Sequence, residues 1–208
     1  MGLDIYFYKT NILPNSNDMV EVHKAYTEKL QNDFKETFHK YFKKLQKAAN
    51  CDDYTTDENY INAYERLRKS VSKFFDYEWY TKDLDNVCDT KSVKIWYGSH
   101  ISCVSPIEDI YYRKVNFVYR FFNERSHFES ECCWVTKEMA EELVNKCDEV
   151  INNKDKASEI LPTTSGFFFG STNYDNWYLD DVKSVRRDFK KLLENWKDDE
   201  RVYAVFSW

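Results

Sequence analysis

Glycine and proline are scarce in this chain of 208 residues, at four and three. That scarcity excludes collagen-like sequences and Gly- or Pro-rich linkers. No apolar run approaches the roughly 18 residues that cross a bilayer, so no membrane-spanning segment is expected. The first residues, MGLDIYFYK, lack the basic region and following apolar stretch of a secretory signal, which makes the cytoplasm the expected location. Excess positive charge is missing too: Lys and Arg number 30 against 36 Asp and Glu, a formal net charge of -6. A non-specific grip on duplex nucleic acid, which needs a dense cationic face, is therefore disfavoured. Six cysteines, at 51, 88, 103, 132, 133 and 147, include no CxxC pair, and the four histidines are scattered without HExxH. Neither a metal nor another cofactor is expected from such spacing, and the cysteines read as reduced, half-buried thiols.

Aromatic residues are what the chain has in plenty, with 16 Tyr, 15 Phe and 6 Trp making 18% of it. They supply large buried areas at low rotamer cost and also make platforms for flat ligands, so the excess suits a core and a binding site alike. Leu3 to Lys9 reads as a β-strand, broken by Pro14 to Asn17, with Asp18 placed to cap a helix. Apolar spacings of three and four predict that helix from Met19 to about Ala48 and another from Asp57 to about Tyr77, packed as an antiparallel hairpin. The polar face of the first of these helices, rich in Lys and Glu, reads as a solvated face rather than a binding patch. Strand-like alternation comes next, between Lys91 and Val104. A helix is then expected from Pro106, capped by Ser105, to about Asn123. Cys132 to Val135 reads as a brief strand, and Thr136 with Met139, Leu143, Val144, Cys147, Val150 and Ile151 makes the next helix. Helical spacing returns from Leu179 to Trp196, and Val202 to Trp208 reads as a last strand. The fold class that results is α+β: one helix-dominated domain over residues 1–208, with a small sheet pairing the two terminal strands.

Two segments carry the chemistry. Leu161 to Tyr178 is aperiodic and places three consecutive phenylalanines between Gly166 and Gly170, followed by Ser171, Thr172, Asn173, Tyr174 and Asp175. Exposing each ring would cost about 1.5 to 3 kcal/mol, so the loop is expected to fold inward. It then either plugs the core, with Ser and Asp as turn and cap residues, or delivers small donors and a carboxylate to a site. On the expected helix from Pro106, Tyr112, Asn116 and Tyr119 share one edge with Arg113 and Arg120 beside it. That edge suits an anion on Arg113, a polar group on Asn116 and a stacked tyrosine. Equally, the cations lie over aromatic rings and extend to solvent. The candidate ligand-binding set is Tyr112, Arg113, Asn116, Tyr119, Ser171, Thr172, Tyr174 and Asp175, and no catalytic residue is assigned. Asp4 in the first strand either faces a cation or forms the exposed phase of an edge strand, and His100 is a lone histidine after Gly98-Ser99.

The segments MGLDIYFYK, YYRKVNFVYRFF and LPTTSGFFFGSTNYDNWYLDD, with the final FSW, resemble a family of small bacteriophage and prophage proteins of uncharacterised activity. The family's central pattern runs Tyr-Trp-Arg-Lys-x-Asn-x-x-His-x-Trp-Phe. Arg113, Lys114 and Asn116 match it, whereas Tyr112, Tyr119 and Phe121 stand where it has Trp, His and Trp. The resemblance implies a phage-related setting inside a bacterial host cell. Loss of the histidine favours binding over acid-base catalysis. The leading expectation is thus an accessory protein that binds a small anionic, nucleotide-like ligand or a host protein to counter host defence. A small hydrolase or transferase acting on a phosphorylated small molecule is the alternative, with Arg113, Ser171, Asp175 and Asp4 or His100 converging. A pure protein-protein interaction module is the second alternative.

Overall fold

The computed structural model describes residues 2–49, 56–74, 108–126 and 131–208. The chain divides into two compact units, Met1–Val22 with Glu108–Trp208 and His23–Ile107. The fold is α+β and helix-dominated, as expected. In chain order the elements are β1 (Asp4–Thr10), α1 (Met19–Ala48), α2 (Glu58–Val71), β2 (Ile110–Arg113), α3 (Asn116–Ser126), β3 (Cys132–Val135), α4 (Lys137–Asn152), the short α5 (Ala157–Ile160), α6 (Asn176–Glu194) and β4 (Arg201–Ser207).

In the first unit, the four strands form one antiparallel sheet in the order β2-β1-β4-β3. β1 and β4 are its central pair, in register from Asp4 opposite Ser207 to Thr10 opposite Arg201. The expected pairing of the chain ends therefore forms the middle of the sheet, where both strands find partners on each side. Alternation sends Ile5 and Phe7 of β1 and Val202, Ala204 and Phe206 of β4 into the core, where all five are buried. Phe7 meets Phe122 of α3 at 5.4 Å and Phe189 of α6 edge-on at 5.1 Å between ring centres. Leu143, Val144, Cys147 and Val150 of α4 and Val182, Val185 and Leu192 of α6 complete this core. Burial pushes the Cys133 and Cys147 thiols up to about 12, which leaves them inert as nucleophiles.

The structure corrects the helix expected from Pro106 to Asn123. Ile110–Arg113 is instead the strand β2, paired with β1 from Phe7 opposite Ile110 to Asp4 opposite Arg113. Ile110 and Tyr112 face inward while Tyr111 and Arg113 face outward, a period-2 pattern that the spacings of three and four among neighbouring apolar residues had masked. Lys114 then takes a left-handed φ of 63°, ending the strand, and α3 starts at Asn116. Residues 101–107, with the expected Ser105 cap, and the strands expected between Lys91 and Val104 lie outside the described residues.

In the second unit, α1 and α2 share a core of Phe34, Phe38, Phe42 and Leu45 with Leu67 and Val71, joined by Phe74 just beyond α2. Asp57 caps α2 by accepting from the Tyr60 amide at 2.7 Å. At the start of α1, Asp18 accepts from the amides of Val20 and Glu21, as its position before the periodic run predicts. Among the described residues no helix is long and apolar enough to cross a membrane.

Candidate functional site

The loop from Leu161 to Asp175 is built by α3. Asn116, at the first position of α3 and only 2% exposed, donates from Nδ2 to the carbonyls of Phe169 at 3.1 Å and Ser171 at 2.8 Å. Its Oδ1 accepts from the Thr164 amide at 3.3 Å. One side chain thus satisfies three backbone groups of a segment with no ladder of its own. Further along the same helix, Arg120 donates to the Thr163 carbonyl at 2.9 Å. The Tyr178 hydroxyl donates to Leu161 O at 2.8 Å, and Leu3 N donates to Phe168 O at 3.0 Å. Gly170 sits at φ 90°, and a Cβ there would lie 3.0 Å from Lys114 Cβ. At Gly166 an added Cβ would meet the Phe169 ring at 2.6 Å, so both glycines are required by close approach or backbone conformation.

The three phenylalanines separate, contrary to the inward folding expected of all of them. Phe169 is buried, edge-on to Tyr119 at 4.9 Å and to Trp208 at 5.8 Å. Phe168 is half-buried, and Phe167 is 93% exposed. A left-handed turn at Gly170 and the Asn116 clamp fix the backbone so that one ring inserts while another is held out. At the start of α6, Trp177 is 81% exposed, one position away from the inward stripe that begins at Tyr178.

Between β2, the turn at Lys114, the loop and α6 lies a cleft of about 180 Å³. Arg113 and Lys114 supply cationic groups to it, and Asn173, Asp175, Trp177 and Asp181 also contribute to its lining. The Arg113 side chain is 58% exposed and its Nε stands 3.9 Å from Asp4, a long contact that leaves the guanidinium available. Burial, then the neighbouring Asp180 and Asp175, raises the Asp181 carboxyl.

Of the candidate residues, Arg113, Asn116, Ser171 and Asp175 come together at this cleft. Tyr112 does not: its ring is buried against Phe7 and its hydroxyl lies 3.3 Å from Asp188, with burial and that carboxylate raising its pKa. Tyr119 packs among Phe169, Phe206 and Trp208. Thr172 and Tyr174 serve the loop itself, their carbonyl and hydroxyl lying 3.1 and 3.2 Å from Thr163 Oγ1. Asn116 and Asp175 are committed to structure even at the cleft, since Asp175 caps α6 by accepting from the Tyr178 amide at 3.1 Å. Sequence reasoning passed over Lys114, Trp177, Asp181 and the outward role of Phe167. A tryptophan one place off the apolar stripe of α6 was the signal for the second of these.

No constellation for acid-base chemistry forms among the described residues of this cleft. Ser171 Oγ accepts from the Asn173 amide at 3.1 Å, closing a local turn. Asp4 lies in a central strand, where the Tyr111 hydroxyl donates to it at 2.5 Å, which holds that phenol up to about 12. His100 lies outside the described residues. Because the Asp175 carboxylate caps a 19-residue helix, Asp175→Ala is expected to lower stability by about 1 kcal/mol in urea unfolding. A loss below about 0.3 kcal/mol would contradict the capping role. No family profile, curated protein or solved structure matches the chain.

Proposed function

We propose that the protein is a binding protein of the phage accessory type that its resemblance implies, and that it engages a host protein through the loop from Leu161 to Tyr178. The observation that carries this reading is the pair of exposed aromatic residues, Phe167 at 93% on the loop that Asn116 clamps and Trp177 at 81% in the first turn of α6. Tryptophan and arginine dominate the energy of protein interfaces, and a clamped loop loses little ordering entropy on association. Arg113 and Lys114 beside Trp177 suit an acidic side chain or chain end on the partner, met bidentately by the guanidinium. At about 180 Å³ the cleft is below the roughly 300 to 1,000 Å³ usual for small-molecule sites, which favours a protruding group of a larger partner over an enclosed nucleotide.

The test uses the full chain as bait in lysate of the bacterial host, followed by affinity measurement with the purified partner. Trp177→Ala is expected to weaken binding by about 2 kcal/mol, near thirty-fold, and Arg113→Ala by about tenfold. Both variants are expected to keep the melting temperature, since neither side chain lies in the core. A partner held equally by wild type and both variants would contradict the assignment of this face.

A further inference from the structure

The net charge of -6 averages over a segregated distribution. Residues 35–47 of α1 and 64–74 of α2 and its extension hold nine Lys and Arg against two Glu. Most of these cations are exposed, and none of the lysines has a carboxylate partner among the described residues. Lys40, Lys69 and Lys73 line a shallow groove of about 440 Å³ between α1 and α2, together with Thr37, Tyr41 and Ser70, and Glu36 is its one carboxylate. The ammonium groups of Lys40 and Lys44 stand 5.6 and 5.4 Å from the centre of the Tyr41 ring. A hydrogen bond with Ser70, then the positive charges of Lys40, Lys44 and Arg66, hold the Tyr41 phenol below its ordinary range. Like charges one turn apart on a helix, as at Lys40 and Lys44 or Lys43 and Lys47, repel and weaken it. An anion placed between them removes that repulsion.

We propose that this groove of the α1–α2 hairpin binds the phosphate backbone of single-stranded nucleic acid. Three features favour that occupant. Cations spaced by one helical turn on α1 and along the facing stretch of α2 form two rows able to meet successive phosphates. The groove offers only about 440 Å³, which suits a short stretch of one strand rather than the broad face of a duplex. Hydroxyls from Thr37, Tyr41 and Ser70 stand among the lysines as neutral partners for phosphate and sugar oxygens. The acidic remainder of the chain disfavours a broad duplex grip, while the groove itself carries three lysines against one carboxylate.

Fluorescence anisotropy of the full chain with a labelled oligothymidylate of about 20 nucleotides tests the proposal. Wild type is expected to bind at low salt, with affinity falling as salt rises along a log-log slope of about -2 or steeper. The combined Lys40→Glu, Lys69→Glu and Lys73→Glu variant is expected to bind at least tenfold more weakly, with its slope flattened by about 2, while the corresponding Lys→Arg variant retains binding. Should the charge-reversed chain fail to melt cooperatively, Lys40→Gln with Lys73→Gln replaces it, with a slope flattened by about 1.4. Absence of binding by wild type, or binding unchanged by these substitutions, would overturn the proposal. So would polyglutamate competing as well as the oligonucleotide at equal charge, which would make the groove a site for acidic protein.

Discussion

Deleting residues 202–208 is expected to abolish cooperative folding of the unit that contains the sheet. β4 pairs β1 on one side and β3 on the other, so its loss divides the sheet into a two-stranded ribbon and a lone four-residue strand. Val202 and Phe206 leave the core with it, and Tyr203 leaves its buried place beside Tyr8 and Trp134 on the other face of the sheet, each worth about 1.5 to 3 kcal/mol of burial. Their sum is comparable to the whole stability of an ordinary domain, about 5 to 15 kcal/mol. Amide exchange at Ile5 to Tyr8 should rise to the rate of an unfolded chain, because six residues of β1, Asp4 to Lys9, lose their β4 partners. Unchanged protection there would show that β1 is held by something other than β4.

Asn116→Ala should have the largest effect of any single substitution at the candidate site. Three backbone groups, Phe169 O, Ser171 O and Thr164 N, would lose their partner at once. With each unsatisfied group costing about 1 to 3 kcal/mol, and some regaining water as the loop loosens, a loss near 3 kcal/mol is expected in urea unfolding. Exchange at the Leu3 amide, which donates to Phe168 O, should accelerate while Ile5 and Phe7 stay protected. Asn116→Asp should behave like Asn116→Ala, since a carboxylate has no N–H for the two carbonyls. A change below about 0.5 kcal/mol in both variants would mean that the loop is ordered by Phe169 alone.

The sheet was legible because β1 and β4 are strongly alternating, aromatic and otherwise without partners in a helical chain. The helices α1, α4 and α6 were legible through long apolar periodicity, and the cap of α1 at Asp18 through residue type, whereas Thr136, read as part of α4, is its cap. β2 was not, because its four residues are too few for alternation to outweigh the helical spacing of Val115, Val118 and Phe122 just after it. That misreading placed Tyr112 and Tyr119 on one edge with Asn116. In the fold they belong to the packed interior and to the aromatic cluster around Phe169. The site segments were identified from their density of polar groups among aromatics, and β2, the Lys114 turn and α6 do bring Arg113 and Asp175 to one cleft. Which of the three phenylalanines inserts depends on the backbone at Gly166 and Gly170, a property that composition does not encode. The polar face of α1 reads from sequence as solvated because Glu is interspersed with Lys along the helix, and the cationic stretch shows only when residues 35–47 are set beside 64–74 of α2 and its extension.

The central claim is that the loop from Leu161 to Tyr178 is a clamped structure holding Phe167 and Trp177 in solvent rather than a plug that buries its rings. Hydroxyl-radical footprinting of the free protein, resolved to single residues by fragment mass spectrometry, tests it most directly. Phe167 and Trp177 are expected to be oxidised near the rates of free side chains, with Phe169 and Tyr178 strongly protected. Protection of Phe167 equal to that of Phe169 in the monomeric free protein would contradict the claim and remove the basis for a binding face on this loop.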